Sequence, residues 1–124
     1  NILRGIYKGQ NDVGTQLHSD DSDSIVFATQ EVGASTGDEM WFAIRPEKLE
    51  ISKKKPKNQH NILKGLIEDI AYGGSFSTYH VRLDSGRILK AIRANRVRTE
   101  EHHLTWEDEV YLHWEPHSAV VLLS

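Results

Sequence analysis

The sequence contains no cysteine among its 124 residues. This absence excludes both a disulfide framework and a metal site built from thiolates, and it fits a reducing compartment. No apolar run approaches the roughly 18 residues of a membrane-spanning helix, and no signal-peptide pattern occurs. The chain therefore has neither cross-links nor a membrane segment to organise its fold.

The sequence also lacks a basic excess and a recognisable catalytic motif. Fifteen Lys and Arg residues stand against eighteen Asp and Glu residues, a net charge of −3, whereas general nucleic-acid binders are usually basic. Neither a Gly-rich phosphate loop nor a Ser or Thr nucleophile on a sharp strand-to-helix turn is present. We therefore predict that this chain alone is not an enzyme, binds no cofactor or metal, and has no nucleic-acid partner.

What the sequence does contain is an internal repeat. Residues 1–6 (Asn-Ile-Leu-Arg-Gly-Ile) return as residues 61–66 (Asn-Ile-Leu-Lys-Gly-Leu), and the segment 38–46 returns as 108–116 with the same alternation of apolar and polar positions. Two matches in the same order indicate two copies of one small module. Because a module of about 60 residues is marginal alone, we expect the copies to pack together. The chain begins in the middle of this pattern with Asn1, so we expect it to be part of a longer protein.

Runs of period-two alternation between turn residues predict ten short strands and no long helix. Five strands in each copy, with a long connection before the fourth, are typical of an OB-type barrel. We predict an all-β chain of two tandem five-stranded OB-like barrels, with residues 1–52 as the first repeat, 53–60 as a linker and 61–124 as the second. The predicted strands are 2–7, 15–18, 25–29, 40–44, 49–51, 63–71, 75–83, 88–93, 110–114 and 119–123. The extra length of the second copy, 95–105, begins with a possible Asn95 cap.

The alternation also predicts which faces are buried. One apolar set from each copy is expected at the interface between the barrels, while the residues between them face the other way. The last strand, 119–123, is apolar enough to be buried on both faces. The predicted interface residues are Met40, Phe42, Ile44, Val110, Leu112 and Trp114. The aromatic side chains Trp41, Trp106, Tyr111 and Trp114 are interpreted as core rather than as stacking platforms.

Two turns carry a proline at the same place in each copy. Residues 45–48 hold Pro46 and residues 115–118 hold Pro116, with different charges around them. A bend common to both copies needs only the proline, whose fixed φ suits this position. We interpret the turn as structural: it holds the fourth and fifth strands of the first copy together, and Arg45 and Glu47 serve packing and hydrogen bonding.

Two groups of side chains are candidate ligand or partner surfaces. The basic group could bind an oxyanion or another acidic partner, and it consists of Arg87, Arg93, Arg96 and Arg98. The second group combines an indole with carboxylates, which favour an organic cation such as a polyamine, and it consists of Trp106, Glu107, Asp108 and Glu109. Because Asp38 and Glu39 repeat the pair Asp108 and Glu109, we prefer to interpret that acidic pair as a fold element. The cluster Asp20, Asp21 and Asp23 lacks the Gly and Glu of a calcium loop and is interpreted as a solvated hairpin tip.

Several segments in a fixed order resemble the TOBE region of ABC importer ATPases. They are residues 43–49 (Ala-Ile-Arg-Pro-Glu-Lys-Leu), the Asn-x-Leu-x-Gly start of each copy, residues 65–74, residues 105–110 and residues 114–116 (Trp-Glu-Pro). The likeness runs from Asn1 through essentially the whole chain and is greatest to the ATP-binding subunits of spermidine/putrescine importers. One departure is Glu107, since glycine commonly precedes the aspartate there in this family.

The resemblance implies a regulatory and assembly domain. Its partners would be a nucleotide-binding domain in the same chain, a second copy of the ATPase subunit and the permease subunits, at the cytoplasmic side of the inner membrane. ATP and Mg²⁺ would bind that nucleotide-binding domain, and this fragment would be inert toward ATP. The competing hypothesis is a free-standing OB module that binds an oxyanion, a polyamine or nucleic acid.

Overall fold

A computed structural model describes residues 1–22, 24–57, 59–94 and 104–123. These residues form ten strands and two short 3-10 helices, and no helix among them is long and apolar enough to cross a bilayer. The strands are β1 (Ile2–Gln10), β2 (Thr15–Ser19), β3 (Ile25–Ala28), β4 (Glu39–Ile44), β5 (Glu50–Ser52), β6 (Asn61–Tyr72), β7 (Phe76–Leu83), β8 (Ile88–Ala94), β9 (Glu109–Trp114) and β10 (Ala119–Leu122). The 3-10 helices span Pro46–Lys48 and Pro116–Ser118. The all-β prediction is confirmed, and each predicted strand is present with ends shifted by at most three residues.

The strands form two five-stranded sheets that exchange their last strands. The first sheet has the order β10-β4-β1-β2-β3 and the second the order β5-β9-β6-β7-β8. In both sheets the edge strands approach each other, so each sheet curls into a small barrel. In the first barrel the Thr29 amide donates to the Pro116 carbonyl at 3.1 Å and the Val121 amide donates to Gln30 Oε1 at 3.0 Å, across the closing edge.

This exchange corrects the strand content of each predicted barrel. The fifth strand in sequence, β5, pairs with β9 of the second copy, and the tenth, β10, pairs with β4 of the first. A barrel therefore contains four strands of its own copy and one from the other. The predicted domain bounds, 1–52 and 61–124, follow the sequence repeats and stay a prediction. The two barrels do not coincide with these bounds, because β5 and β10 each join the sheet of the other copy.

The core follows the predicted alternation. The predicted interface residues on β4 and β9 are at most 1% exposed, and the buried apolar side chains of both sheets form one cluster. The residues between them, Trp41, Ala43, Tyr111 and His113, are only partly buried and face outward. On β10 the prediction of burial on both faces is wrong, because Val120 is 53% exposed. The predicted segment 95–105 lies mostly outside the described residues.

The glycine of each Asn-x-Leu-x-Gly motif is explained by close backbone approach. A Cβ on Gly5 would lie 2.1 Å from the carbonyl oxygen of His18, and one on Gly65 would lie 2.7 Å from that of Arg82. Both glycines occupy the crossing of the first and second strands of their copy, β1 with β2 and β6 with β7. The motif therefore repeats because each copy needs a residue without a side chain at this crossing.

Candidate functional site

The first residue of each repeat clamps a strand of the other copy. Asn1 Nδ2 donates to the Lys90 carbonyl at 2.7 Å while its Oδ1 accepts from the Lys90 amide at 2.7 Å. Asn61 repeats the arrangement on Phe27: its Oδ1 accepts from the Phe27 amide at 2.7 Å and its Nδ2 donates to the Phe27 carbonyl at 3.0 Å. Asn61 is fully buried and also donates to the Trp114 carbonyl at 3.3 Å. These paired bonds fix the third strand of each copy, β3 or β8, against the other barrel.

The hairpin tips of the two copies meet through a buried carboxylate. Asp21 is 9% exposed and accepts hydrogen bonds from Ser85 Oγ at 3.0 Å and Arg87 Nε at 2.8 Å. The interpretation of this hairpin as a solvated tip is wrong for Asp21, and Asp23 lies outside the described residues. The charges of two sequence-distant turns are therefore paired within the chain rather than presented together to solvent.

The structure describes two of the four arginines of the predicted basic surface. Arg87 is held by Asp21, although 43% of its side chain is exposed. Arg93 lies near the end of β8, opposite Ser77 on β7, and is partly buried. Arg96 and Arg98 lie outside the described residues, so a four-arginine surface stays a prediction. Within the described chain, a ligand anion at Arg87 would compete with a buried carboxylate already in place.

The turn at residues 105–108 repeats the turn at residues 35–38. Asp108 Oδ2 accepts from the Thr105 amide at 2.9 Å, as Asp38 Oδ2 accepts from the Ser35 amide at 2.9 Å. Asp108 Oδ2 also lies 3.3 Å from Lys53 Nζ in the linker. The carboxylate is therefore engaged by its own turn and by a lysine, which favours the fold-element interpretation of this acidic pair.

Glu107 adopts a backbone conformation that the first copy gives to glycine. Its φ is 67°, and the equivalent residue Gly37 has a φ of 102°. The amide of Glu107 donates to the Ile67 carbonyl at 2.8 Å, as that of Gly37 donates to the Tyr7 carbonyl at 2.9 Å. Glu107 therefore replaces the usual glycine without changing the turn. It must adopt a left-handed backbone conformation, which residues with a side chain disfavour.

Trp106 is a surface residue rather than the predicted core residue. It is 47% exposed and meets Tyr72 edge to face, with ring centroids 6.1 Å apart. Of the predicted cation-binding carboxylates, Asp108 is engaged in its turn and Glu109 Oε2 lies 3.3 Å from Lys64 Nζ. The exposed Glu107 is left as the one carboxylate of this group with no ion pair among the described residues. A cation-binding surface at Trp106, Glu107 and Asp108 therefore stays a prediction.

The proline turns connect the two barrels. In each, proline starts a 3-10 helix, and the chain then enters a strand of the other sheet. The prediction that residues 45–48 hold β4 and β5 together is therefore wrong, since β4 pairs with β10. Arg45 and Glu47 are exposed, and within the described ranges their side chains make no hydrogen bond or ion pair.

His113 is a titratable group with a clear perturbation. Burial lowers the pKa of its imidazole below the usual 6.5, and the carboxylates of Glu50 and Glu115 oppose that shift. It lies on β9 opposite Glu50 of β5, on the outer face of the second barrel. Across the described ranges, no three His, Asp or Glu side chains are grouped to hold a metal ion.

Comparison with known proteins assigns most of the chain to one family model. The model described as TOBE domain matches residues 42–122. The putrescine transport ATP-binding protein PotG of Escherichia coli is 38% identical over 98% of this chain and 32% of its own length. The spermidine/putrescine import ATP-binding protein PotA of Thermotoga maritima is 34% identical over 72% of this chain and 25% of its own length. The chain thus spans about a third or less of these curated relatives.

A solved structure has the same fold with little sequence likeness. The cytoplasmic molybdate-binding protein ModG, solved with molybdate bound, superposes with a TM-score of 0.86 over 100% of this chain and 96% of its own. Sequence identity is 11%. The likeness confirms the fold of two OB-like barrels, and it shows the fold alone.

Proposed function

This chain belongs to the TOBE domain family, and from that premise we propose that it is the regulatory and assembly domain of the ATP-binding subunit of an ABC importer. The observation that carries the proposal is the collinear match to PotG over 98% of the chain, which covers only 32% of that relative. A parent of similar length would hold about two thirds of its residues elsewhere. The ATP-binding activity in the relatives' names would then belong to that remainder.

The described side chains fit a binding and assembly role. The charged groups that sequence reasoning singled out are largely engaged in the fold: Asp21 with Arg87, and Asp108 with Lys53. Phosphate loops use backbone amides of a Gly-rich turn at a helix start, and the sequence of this chain contains no such motif. Two barrels joined by exchanged strands and asparagine clamps are suited to hold one attached domain in place relative to another.

We propose putrescine or spermidine as the solute of the parent importer, on the strength of the names PotG and PotA. The proposed partners are the nucleotide-binding domain of the same chain, a second ATPase subunit and the permease subunits, on the cytoplasmic side of the inner membrane. ATP and Mg²⁺ would be held by the nucleotide-binding domain. The residues of the present chain would contribute attachment and regulation.

The alternative is a small-ligand module that binds an oxyanion. The fold of the molybdate-binding protein ModG favours it, whereas the pairing of Arg87 with Asp21 disfavours it. Titration calorimetry with molybdate and with sulfate, at concentrations up to the millimolar range, separates the two proposals. Micromolar binding of an oxyanion to the isolated chain would favour the alternative.

The test of the main proposal compares three proteins for MgATP binding and hydrolysis. They are the isolated chain, the full-length parent and the parent lacking residues 1–124. We expect no nucleotide binding by the isolated chain, hydrolysis by the full-length parent, and hydrolysis retained after the deletion. Nucleotide hydrolysis by the isolated chain, or a full-length parent without ATPase activity, would contradict the proposal.

A further inference from the structure

The outer face of the first barrel carries an apolar patch. Cross-strand register places Ile2 beside Ala43 and Ala43 beside Val120, and in the next row Trp41 beside Leu122. Ile2 is 46%, Val120 53% and Leu122 38% exposed. These five residues, called here the apolar patch, lie on three adjacent strands, β1, β4 and β10, so their side chains form one continuous surface.

The second barrel has polar residues at most of the equivalent positions. There β5 takes the place of β10, and the register aligns Ile62 with His113 and Glu50, and Tyr111 with Ser52. Glu50 and Ser52 thus occupy the places of Val120 and Leu122. Because the same fold is built with a carboxylate and a hydroxyl there, barrel stability does not require the apolar residues of the patch. An exposed apolar group that the fold does not need indicates a contact surface.

The border of the patch is charged, and its charges are paired within the chain. Arg4 follows Ile2 by two residues on the same face of β1 and forms ion pairs with Asp20 and Glu39. Since these charges are already paired, covering the patch would not leave an isolated charge buried, which is the costliest case. An apolar centre with a polar rim is the usual anatomy of a protein contact.

The size of the patch favours a tethered occupant. It consists of five side chains, two of which are only partly exposed, so it is no larger than the largest apolar patch on a typical monomer, about 300–600 Å². A specific contact between separate proteins needs about 800 Å² from each partner. Contacts between domains of one chain bury roughly 300–750 Å² from each side, since the covalent link removes most of the entropic cost of association.

We propose that the apolar patch is the docking surface for the nucleotide-binding domain of the parent chain. The proposal rests on the proposed function, in which about two thirds of the parent lies outside this chain, as in PotG. The two barrels then have different duties: the first presents the patch to its own nucleotide-binding domain, and the equivalent polar face of the second stays in solvent.

The test uses thiol labelling, because the chain has no cysteine of its own. Val120→Cys reports on the patch, and Glu50→Cys reports on the equivalent position of the second barrel. Each variant is made in the isolated chain and in the full-length parent, reacted with a maleimide, and followed by peptide mass spectrometry at that residue. Unchanged melting temperatures confirm that each variant is folded.

In the isolated chain we expect both thiols to react at similar rates. In the full-length parent we expect labelling at residue 120 to slow by about tenfold or more while residue 50 stays reactive, since thiol reactivity follows access. Val120→Glu introduces the residue type found at this place in the second barrel. Combined with a Leu122→Cys reporter, it should make labelling in the full-length parent as fast as in the isolated chain.

Three results would overturn the proposal. Equal reactivity at both positions in the full-length parent would show that the patch is uncovered. Protection of residue 120 in the isolated chain, increasing with protein concentration, would assign the patch to a second copy. Protection that needs the permease subunits would assign it to them. ATP hydrolysis, measured on the same samples, reports separately on the proposed function.

Discussion

Replacing Glu107 by glycine should stabilise the protein. Glu107 has a φ of 67°, while Gly37 supports the same turn in the first copy with a φ of 102°. A side chain in the left-handed region costs about 1–2 kcal/mol, and glycine loses about 0.5–1 kcal/mol through its freer unfolded state. Since the exposed Glu107 side chain has no hydrogen bond or ion pair within the described ranges, the net gain is about 0.5–1 kcal/mol.

Thermal unfolding of the isolated chain measures this gain. For a chain of 124 residues, a gain of about 0.5–1 kcal/mol in the free energy of unfolding corresponds to a rise in Tm of roughly 2–5 °C. Gly37→Glu is the matched control, because a Cβ there meets no atom within 4 Å and backbone strain is the main cost. We expect that variant to lose more than about 1 kcal/mol. Glu107→Ala keeps the strain and should stay within about 0.5 kcal/mol of the starting protein. A lower Tm for Glu107→Gly would refute the strain assignment.

Three further predictions follow from other contacts. Asn61→Ala should cost about 2–3 kcal/mol in urea unfolding, because it removes the partner of the part-buried Phe27 backbone groups and a buried bond to the Trp114 carbonyl. Asn1→Ala should cost less, because its bonds to Lys90 are exposed, and equal losses would contradict this difference in burial. Pro46→Ala should cost about 0.5–1 kcal/mol through the unfolded chain, whereas Arg45→Ala should stay within about 0.5 kcal/mol; a larger loss at Arg45 would show a contact absent from the structure. Because burial lowers the pKa of His113, its unfolded form binds the proton first, so stability should fall as pH drops below about 6.5. His113→Gln should make that part of the decline shallower, and an unchanged pH profile would count against the shift.

The strands could be predicted from the sequence because period-two alternation is a local signal. Met40, Phe42 and Ile44 are buried as predicted, and so are their counterparts on β9, whereas their predicted place between the two barrels stays a prediction. Strand exchange leaves no such signal. The fifth strand of each copy is short and alternating, and this pattern would suit a place in its own barrel or in the other one. Only the three-dimensional structure shows that β5 pairs with β9.

The prediction of a solvated hairpin tip was wrong at Asp21 because a contact joins two distant turns. Asp21 is surrounded in sequence by polar residues, and its burial depends on Ser85 and Arg87, more than sixty residues away. The asparagine clamp was missed although its signal was present: an Asn begins both copies, and a repeated amide side chain at equivalent positions suggests a repeated backbone contact. The exposure of Val120 was missed because apolar composition predicts burial and gives no sign of a contact surface.

Solute uptake tests the central claim, that this chain is a non-catalytic assembly domain of a polyamine importer, most directly. Cells lacking other polyamine importers would express the permease subunits with either the full-length parent or the parent without residues 1–124, and uptake of labelled putrescine would be compared at equal protein levels. We expect uptake with the full-length parent and little above background after the deletion, although the truncated protein still hydrolyses ATP. Full uptake by the truncated parent, or no putrescine uptake by the full-length parent with its permease, would contradict the account.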